Sequence, residues 1–231
     1  MNRKIIVTYV FIVCLAMVIL WQILFSQTIN FYITSIAVLA ISMIPFFCSF
    51  EHKKGTSAKE ITVLSTMIAL AVVSRTAFYL IPQVKPIAAV VIVAGICFGA
   101  EWGYIVGAFS AFISNFIFGQ GIWTPFQMVA MGLIGLFAGL IFKVIKPNKW
   151  TLSVVGFVLS FAVYGLIVDL STVFGIYGNN LTLESIISTY AAGVPFGAVF
   201  GISTAVFLFL FGEMFIRKIN RVNIKYGLIK S

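Results

Sequence analysis

Residues Pro82–Gly139 read PQVKPIAAVVIVAGICFGAEWGYIVGAFSAFISNFIFGQGIWTPFQMVAMGLIGLFAG. Three apolar helices fit into this run, separated by short polar or glycine-rich joints. At its centre, Ser114-Asn115-Phe116-Ile117-Phe118 ends one helix, Gly119-Gln120-Gly121 turns the chain, and Pro125 opens the next. Proline suits a first helical turn because its missing N–H would be unpaired there anyway. Asn115, Gln120, Trp123, Thr124 and Gln127 crowd this turn. That density of hydrogen-bonding groups in an apolar chain points to a small-molecule site near one membrane face.

The whole chain shares the character of this stretch. It is 61% hydrophobic and only 9% charged, with a mean hydropathy of +1.13; soluble domains carry roughly 25% charge. The composition is that of an integral membrane protein, and only helices or closed barrels span lipid. The apolar runs are mostly about 17–25 residues long and lack period-two alternation, which selects helices over a barrel. The formal charge of +9 does not indicate nucleic-acid binding, because the basic residues sit in loops between apolar spans. Cys14, Cys48 and Cys97 lie inside apolar runs and read as small core residues. His52 is the sole histidine, so a histidine-based intramembrane metal site is not expected.

Arg3 and Lys4 precede an apolar run from Ile5 to about Phe25, and a second runs from Ile29 to about Phe50. The first is too long for a signal peptide and lacks a small-residue cleavage site, so it reads as a retained helix. The polar stretch Glu51–Glu60 then separates a two-helix prefix with its cytoplasmic linker, 1–57, from a membrane domain with a basic tail, 58–231. Six helices are expected in that domain, at about 61–81, 86–100, 102–118, 124–146, 150–171 and 187–216. With the N-terminus inside, Arg3, Lys4, Lys53, Lys54, Lys59, Lys143, Lys146, Lys149, Arg217, Lys218, Arg221, Lys225 and Lys230 all fall on the cytoplasmic side. Only Arg75 and Lys85 of the 15 cations do not, which orients eight spans in a cell membrane with both termini cytoplasmic. The joints 82–86, 119–123 and 172–186 then face out.

Small residues recur every fourth position. Gly99, Gly103, Gly107, Ala111 and Asn115 form one stripe, Gly135 and Gly139 a second, and Gly193, Gly197 and Gly201 a third. Such stripes let helix backbones approach closely in lipid, within one bundle or against another subunit. Arg75 and Asp169 are the deepest charges; intramembrane ionisable groups are paired or functional. Both lie in the outer half, where structural pairing and a substrate role are each open. Lys85 sits at the outer boundary, where snorkelling also accounts for it. Glu213 has Arg217 as an i,i+4 partner. In the segment TVFGIYGNNLTLESI, 172–186, Gly175, Gly178 and the Asn pair are expected to interrupt the helix. Phe174 and Tyr177 there offer rings that either close over a ligand or lie at the interface. The chain carries no phosphate-binding loop of the GxxxxGK[ST] type, so ATP-driven transport would need a separate ATPase.

Three segments carry a family resemblance: Leu80–Pro86 (LIPQVKP), Gly107–Phe116 (GAFSAFISNF) and Gly119–Met128 (GQGIWTPFQM). Over about residues 58–218 the chain resembles the substrate-binding S components of energy-coupling factor vitamin transporters, and looks most like their cobalamin-type branch. The resemblance implies a six-helix bundle, here preceded by two extra transmembrane helices. It implies a binding and transport module, neither an enzyme nor dependent on a cofactor or metal, that captures a vitamin-like molecule from outside. Delivery would run through a transmembrane coupling protein with two cytoplasmic ATPases. Its small-residue docking face maps onto Ser65 and Ala69, where serine replaces the first alanine of the family's pattern. The expected substrate site comprises Arg75, Lys85, Asn115, Gln120, Trp123, Thr124, Phe126, Gln127, Asp169 and Tyr177, roofed by 119–127 and 172–186. A stand-alone small-molecule carrier is the second reading. A membrane-embedded enzyme or accessory protein using Arg75 and Asp169 is the third, although no nucleophile–base pair converges in the sequence.

The cation bias predicts a labelling pattern. In a cysteine-free background, a cysteine at Gln120 should react with an impermeant maleimide added outside, and one at Lys54 only after the cells are opened. The reverse pattern would overturn the orientation.

Overall fold

The computed structural model describes residues 58–178 and 180–226, together with the helical residues Ala37, Ala40, Ile41 and Ile44. The expected two-helix prefix and the tail beyond residue 226 otherwise lie outside the described residues. The described chain is all-helical: α1 Ala58–Ala77, α2 Ile87–Phe98, α3 Ala100–Phe118, α4 Thr124–Ile141, α5 Lys149–Val158, α6 Tyr164–Tyr177, α7 Leu183–Phe207 and α8 Glu213–Tyr226. The π-helical segment Leu159–Val163 joins α5 to α6, and another, Leu208–Gly212, joins α7 to α8. The eight helices therefore form six rods.

Four rods are long and apolar enough to cross a membrane: Ala58–Ala77, Thr124–Ile141, Lys149–Tyr177 and Leu183–Lys225. This is the make-up of a membrane protein. The 12 residues of α2 rise only about 18 Å at 1.5 Å per residue, short of a hydrocarbon core of about 30 Å. Burial ranks the rods. In α4, 78% of the apolar window is buried, against 22–28% in the other three. Helix α4 is thus the central post, and the outer rods turn Val73, Leu166, Ile202 and Leu210 outward. An apolar side chain facing out costs nothing where the surroundings are lipid.

Glycine decides how closely α2, α3 and α4 pack. A Cβ added to Gly95 or Gly103 would run into the backbone carbonyl of Gly135, one on Gly107 into the backbone of Met131, and one on Gly139 into Ala100. Backbone therefore touches backbone along this seam, and α3 and α4 make the most extensive helix pair in the fold. Lipid supplies no hydrophobic drive between helices, so such close contact is what holds them. Two of the three small-residue stripes are consumed in this way inside the bundle. On the third, Gly201 accommodates the ring of Phe157 and Gly193 the carboxylate of Asp169.

Capping explains several of the helix ends. Asn148 and Thr151 form a reciprocal capping box at the start of α5, and Thr182 and Ser185 do the same for α7. Each pair satisfies two otherwise orphaned N–H groups. Glu213 accepts from the Lys149 N–H at 2.8 Å while facing Arg217 at 3.6 Å, so it ties the α5 start to α8 as well as making the expected i,i+4 pair.

Several expected boundaries need correction. The first helix ends at Ala77, four residues before the expected 81. The helix expected to stop at 171 continues through Gly175 to Tyr177, and the next begins at Leu183. Among the described residues, the interruption expected over 172–186 shrinks to Gly178, at φ +51°, and 180–182. A single helical glycine costs only about 1 kcal/mol relative to alanine, less than an unpaired backbone group in an apolar setting.

The glycine seam makes a stability prediction. Gly103→Leu should cost more than the ~1–3 kcal/mol of ordinary overpacking, because the obstacle is backbone; Gly165→Ala, which meets nothing within 4 Å, should be nearly neutral. Thermal unfolding of the purified proteins checks both, and equal melting temperatures would refute the seam.

Candidate functional site

Arg75 lies in the last turn of α1 and is only 9% exposed. Its Nη1 donates to Ser114 Oγ and, at 2.8 Å, to Asn115 Oδ1. Asn115, on the last turn of α3, passes the interaction on. Its Nδ2 donates to Gln127 Oε1 at 2.8 Å and to Thr124 Oγ1 at 3.2 Å, both on α4. Thr124 Oγ1 donates to Gln120 Oε1 at 2.9 Å and accepts from the Gly121 N–H at 3.1 Å. Gln120 Nε2 ends the chain on the Phe112 carbonyl at 2.9 Å. One continuous relay thus knits α1, the end of α3, the Gly-Gln-Gly turn and the start of α4.

The turn folds as its residues demand. Gly119 caps α3 at φ +102° and returns its N–H to the Asn115 carbonyl at 2.8 Å. That φ is costly for residues with a Cβ. Trp123 is the N-cap of α4, and Pro125 lies in its first turn. Across the same end of the bundle, the Pro82–Pro86 turn holds Gln83 at φ +59°, an uncommon backbone for a non-glycine residue. Lys85 follows, with its Nζ 4.7 Å from the centroid of the Phe118 ring. The Arg75 guanidinium lies 4.2 Å from the same centroid. Both cations therefore use one aromatic ring. Burial, and secondarily the charge of Arg75, hold the Lys85 amine below the usual lysine pKa.

A cavity of about 190 Å³ opens beside this relay. Arg75 reaches it from α1, Gln83 and Lys85 from the turn, Gln127 from α4, and Asp169 from α6. Its apolar wall includes Met131, Tyr164, Phe196 and Phe200, with the Tyr164 and Phe200 rings 4.8 Å apart. The π-helical turn at Leu159–Val163 immediately precedes Tyr164; it resets the helical phase, and such bulges recur at functional sites. Asp169 packs against Gly193, where any larger residue would strike its carboxylate.

Of the ten expected substrate residues, Arg75, Lys85, Gln127 and Asp169 line the cavity. Asn115, Gln120 and Thr124 stand behind it as the relay. Phe126 is 1% exposed and packs edge-on to Phe174 in the core. Trp123 is 43% exposed at the turn, and Tyr177 closes α6. Of the expected roof, 119–127 and 172–186, Gln127 lines the cavity, and no other described residue of those two stretches does. Much of the rest of the wall comes from Tyr164 and from α7, where Gly193 and Gly197 of the third small-residue stripe alternate with Phe196 and Phe200; the two phenylalanines carry no charge or motif to mark them. Arg75 and Asp169 face the same space without an ion pair among the described residues. Ser65 and Ala69 are exposed on α1.

No curated protein and no solved structure matches this chain. Residues 55–223 match the family of unknown function DUF6580, and the chain belongs to that family.

Proposed function

We propose that the chain is a substrate-capturing membrane component of an importer, of the S-component kind that its motifs resemble. The six described rods, with two further spans upstream, would sit in the cell membrane with both termini cytoplasmic and the 82–86 and 119–123 turns outside. A small polar solute would enter the cavity from that side, pass to a transmembrane coupling protein and be released inside at the expense of two ATPases. The observation that carries the reading is the convergence of Arg75, Lys85, Gln127 and Asp169, from three helices and a turn, on one cavity in an otherwise apolar bundle. Ligand sites characteristically combine an apolar wall with a few convergent polar groups. The relay also supports it, since it fixes Arg75 before any ligand arrives and so lowers the ordering cost of binding.

The volume narrows the ligand. At about 190 Å³ the cavity is below the ~300–1,000 Å³ of sites for drug-sized molecules, and a corrinoid is larger than those. A small metabolite suits this site better than cobalamin. Ser65 and Ala69, exposed on α1, remain the proposed docking face for the coupling protein. A stand-alone carrier is the alternative, and partner copurification separates the two.

Two outcomes are expected. Affinity-purified protein should bring down a membrane coupling protein and ATPases and carry a small solute detectable by native mass spectrometry. Ala69→Trp should lose the partners and keep the solute, because a bulky residue separates helix backbones at a small-residue face. Purified protein with neither partner nor solute would defeat the proposal. Binding of an anionic ligand should also weaken as pH rises. Lys85 is charged below its pKa, which lies under the usual lysine value, and its contribution is lost as pH climbs through it. Calorimetry across pH should show that alkaline limb in the parent protein, and Lys85→Met should lack it.

A further inference from the structure

Resting on the capture reading, we propose that the cavity takes a small zwitterion. This would be an amino-acid-like molecule whose carboxylate meets Arg75 and Lys85 and whose ammonium meets Asp169.

The charges are the first argument. Two cations and one carboxylate line the same cavity. Among the described residues, neither Arg75 nor Lys85 forms a salt bridge with Asp169, and Asp169 has no hydrogen-bond partner. Opposite charges in apolar surroundings attract strongly at contact. Here the fold holds them apart with a cavity between them. An anion alone would satisfy Arg75 and Lys85 and be repelled by Asp169. An amine alone would do the converse. A molecule carrying both charges satisfies every charged group at once.

The donor geometry is the second argument. Arg75 spends only Nη1 on Ser114 and Asn115. Among the described residues, its Nε and Nη2 have no acceptor. That edge of the guanidinium is the fork that receives a carboxylate bidentately. The relay through Asn115 and Gln127 anchors the opposite side, so the free edge is presented in one orientation. Gln127, itself in the cavity wall, is fixed by the same relay.

The fit of the walls is the third. Met131, Tyr164, Phe196 and Phe200 supply an apolar lining for a short carbon skeleton, and about 190 Å³ suits a molecule of amino-acid size. Gly193 keeps the Asp169 carboxylate where it is. A Cβ there would collide with both carboxylate oxygens, so Gly193→Ala should displace the anionic end without touching Arg75.

The test uses the full chain in nanodiscs, by thermal shift and calorimetry. The probes are glycine, β-alanine, γ-aminobutyrate and the larger α-amino acids, compared with carboxylates and primary amines of matching skeleton. At least one zwitterion should bind about tenfold or more tighter than both singly charged counterparts, a difference of about 1.4 kcal/mol. Asp169→Asn should bring that zwitterion and its carboxylate to equal affinity. Lys85→Met should weaken both by a similar factor, and Gly193→Ala should act like Asp169→Asn. Because Arg75 is part of the packed relay, Lys85→Met and Asp169→Asn carry the test whether or not Arg75→Lys folds. A carboxylate that equals every zwitterion in the parent protein overturns the inference, as does a zwitterion preference that survives Asp169→Asn. So does a panel in which no zwitterion binds. A copurifying solute without an amine would end this inference and leave solute capture standing. Loss of all bound solute and all partners would end both.

Discussion

A guanidinium placed inside an apolar bundle must be solvated by the protein itself, and much of the architecture at this end of the molecule follows from doing that for Arg75. Burying an uncompensated ion costs several kcal/mol even after relaxation. Ser114 and Asn115 accept from it, and Phe118 lies against its face. Asn115 can accept only if its amide is held the right way round, which Gln127 and Thr124 ensure by taking both of its donated hydrogens. Thr124 is held in turn by Gln120 and Gly121. The Gly-Gln-Gly turn is therefore a structural support for a charge on another helix, and its polar residues are mostly consumed in that task.

That support needs α3 and α4 in one fixed relation, which the glycine seam provides. Gly103 against Gly135 and Gly107 against Met131 leave no room for the two helices to slide, since their backbones already touch. Dispersion at such short range is the main attraction available between helices in lipid. The polar relay sits at one end of a rigid apolar pair. Its donors and acceptors meet because the seam fixes their spacing. The irregular elements lie across the cavity, where α7 carries Pro195 within its helix and α6 starts from a π-helical turn.

Much of this was legible in the residues. Apolar runs and their joints place six helical segments, and Arg75 and Asp169 stand out because so few charges lie deep in the chain. The polar cluster at 114–127 also announces itself. Its role was harder to read: hydrogen-bonding groups in an apolar chain signal either a ligand or one another, and here Asn115, Gln120 and Thr124 chiefly bind one another. Trp123 and Tyr177 carry a ligand-like chemistry that their helix-end positions do not use in the cavity. Tyr164, Phe196 and Phe200 were not distinguishable, since the chain has 24 phenylalanines and aromatic residues pack anywhere in an apolar bundle. Which of them faces the cavity depends on helical phase, and the π-helical turn before Tyr164 shifts that phase in a way no periodic pattern announces. The persistence of α6 through Gly175 has a comparable cause, because an apolar environment penalises a broken backbone hydrogen bond more than it penalises glycine.

The last rod, Leu183–Lys225, runs for 43 residues, a contour of about 65 Å at 1.5 Å per residue. A hydrocarbon layer is only about 30 Å deep, so roughly half of this helix must lie beyond it. The charged end is α8, with Arg217, Lys218, Arg221 and Lys225; the part nearer Leu183 carries Gly193 and Phe196 into the cavity wall. One continuous helical rod thus links the cavity wall to the cationic segment. It departs from a regular α-helix at two places, Pro195 and the π-helical segment at Leu208–Gly212, the features at which helices bend. For a rod of this length, a tilt about the cavity end would carry the cationic end in proportion to its distance from the pivot.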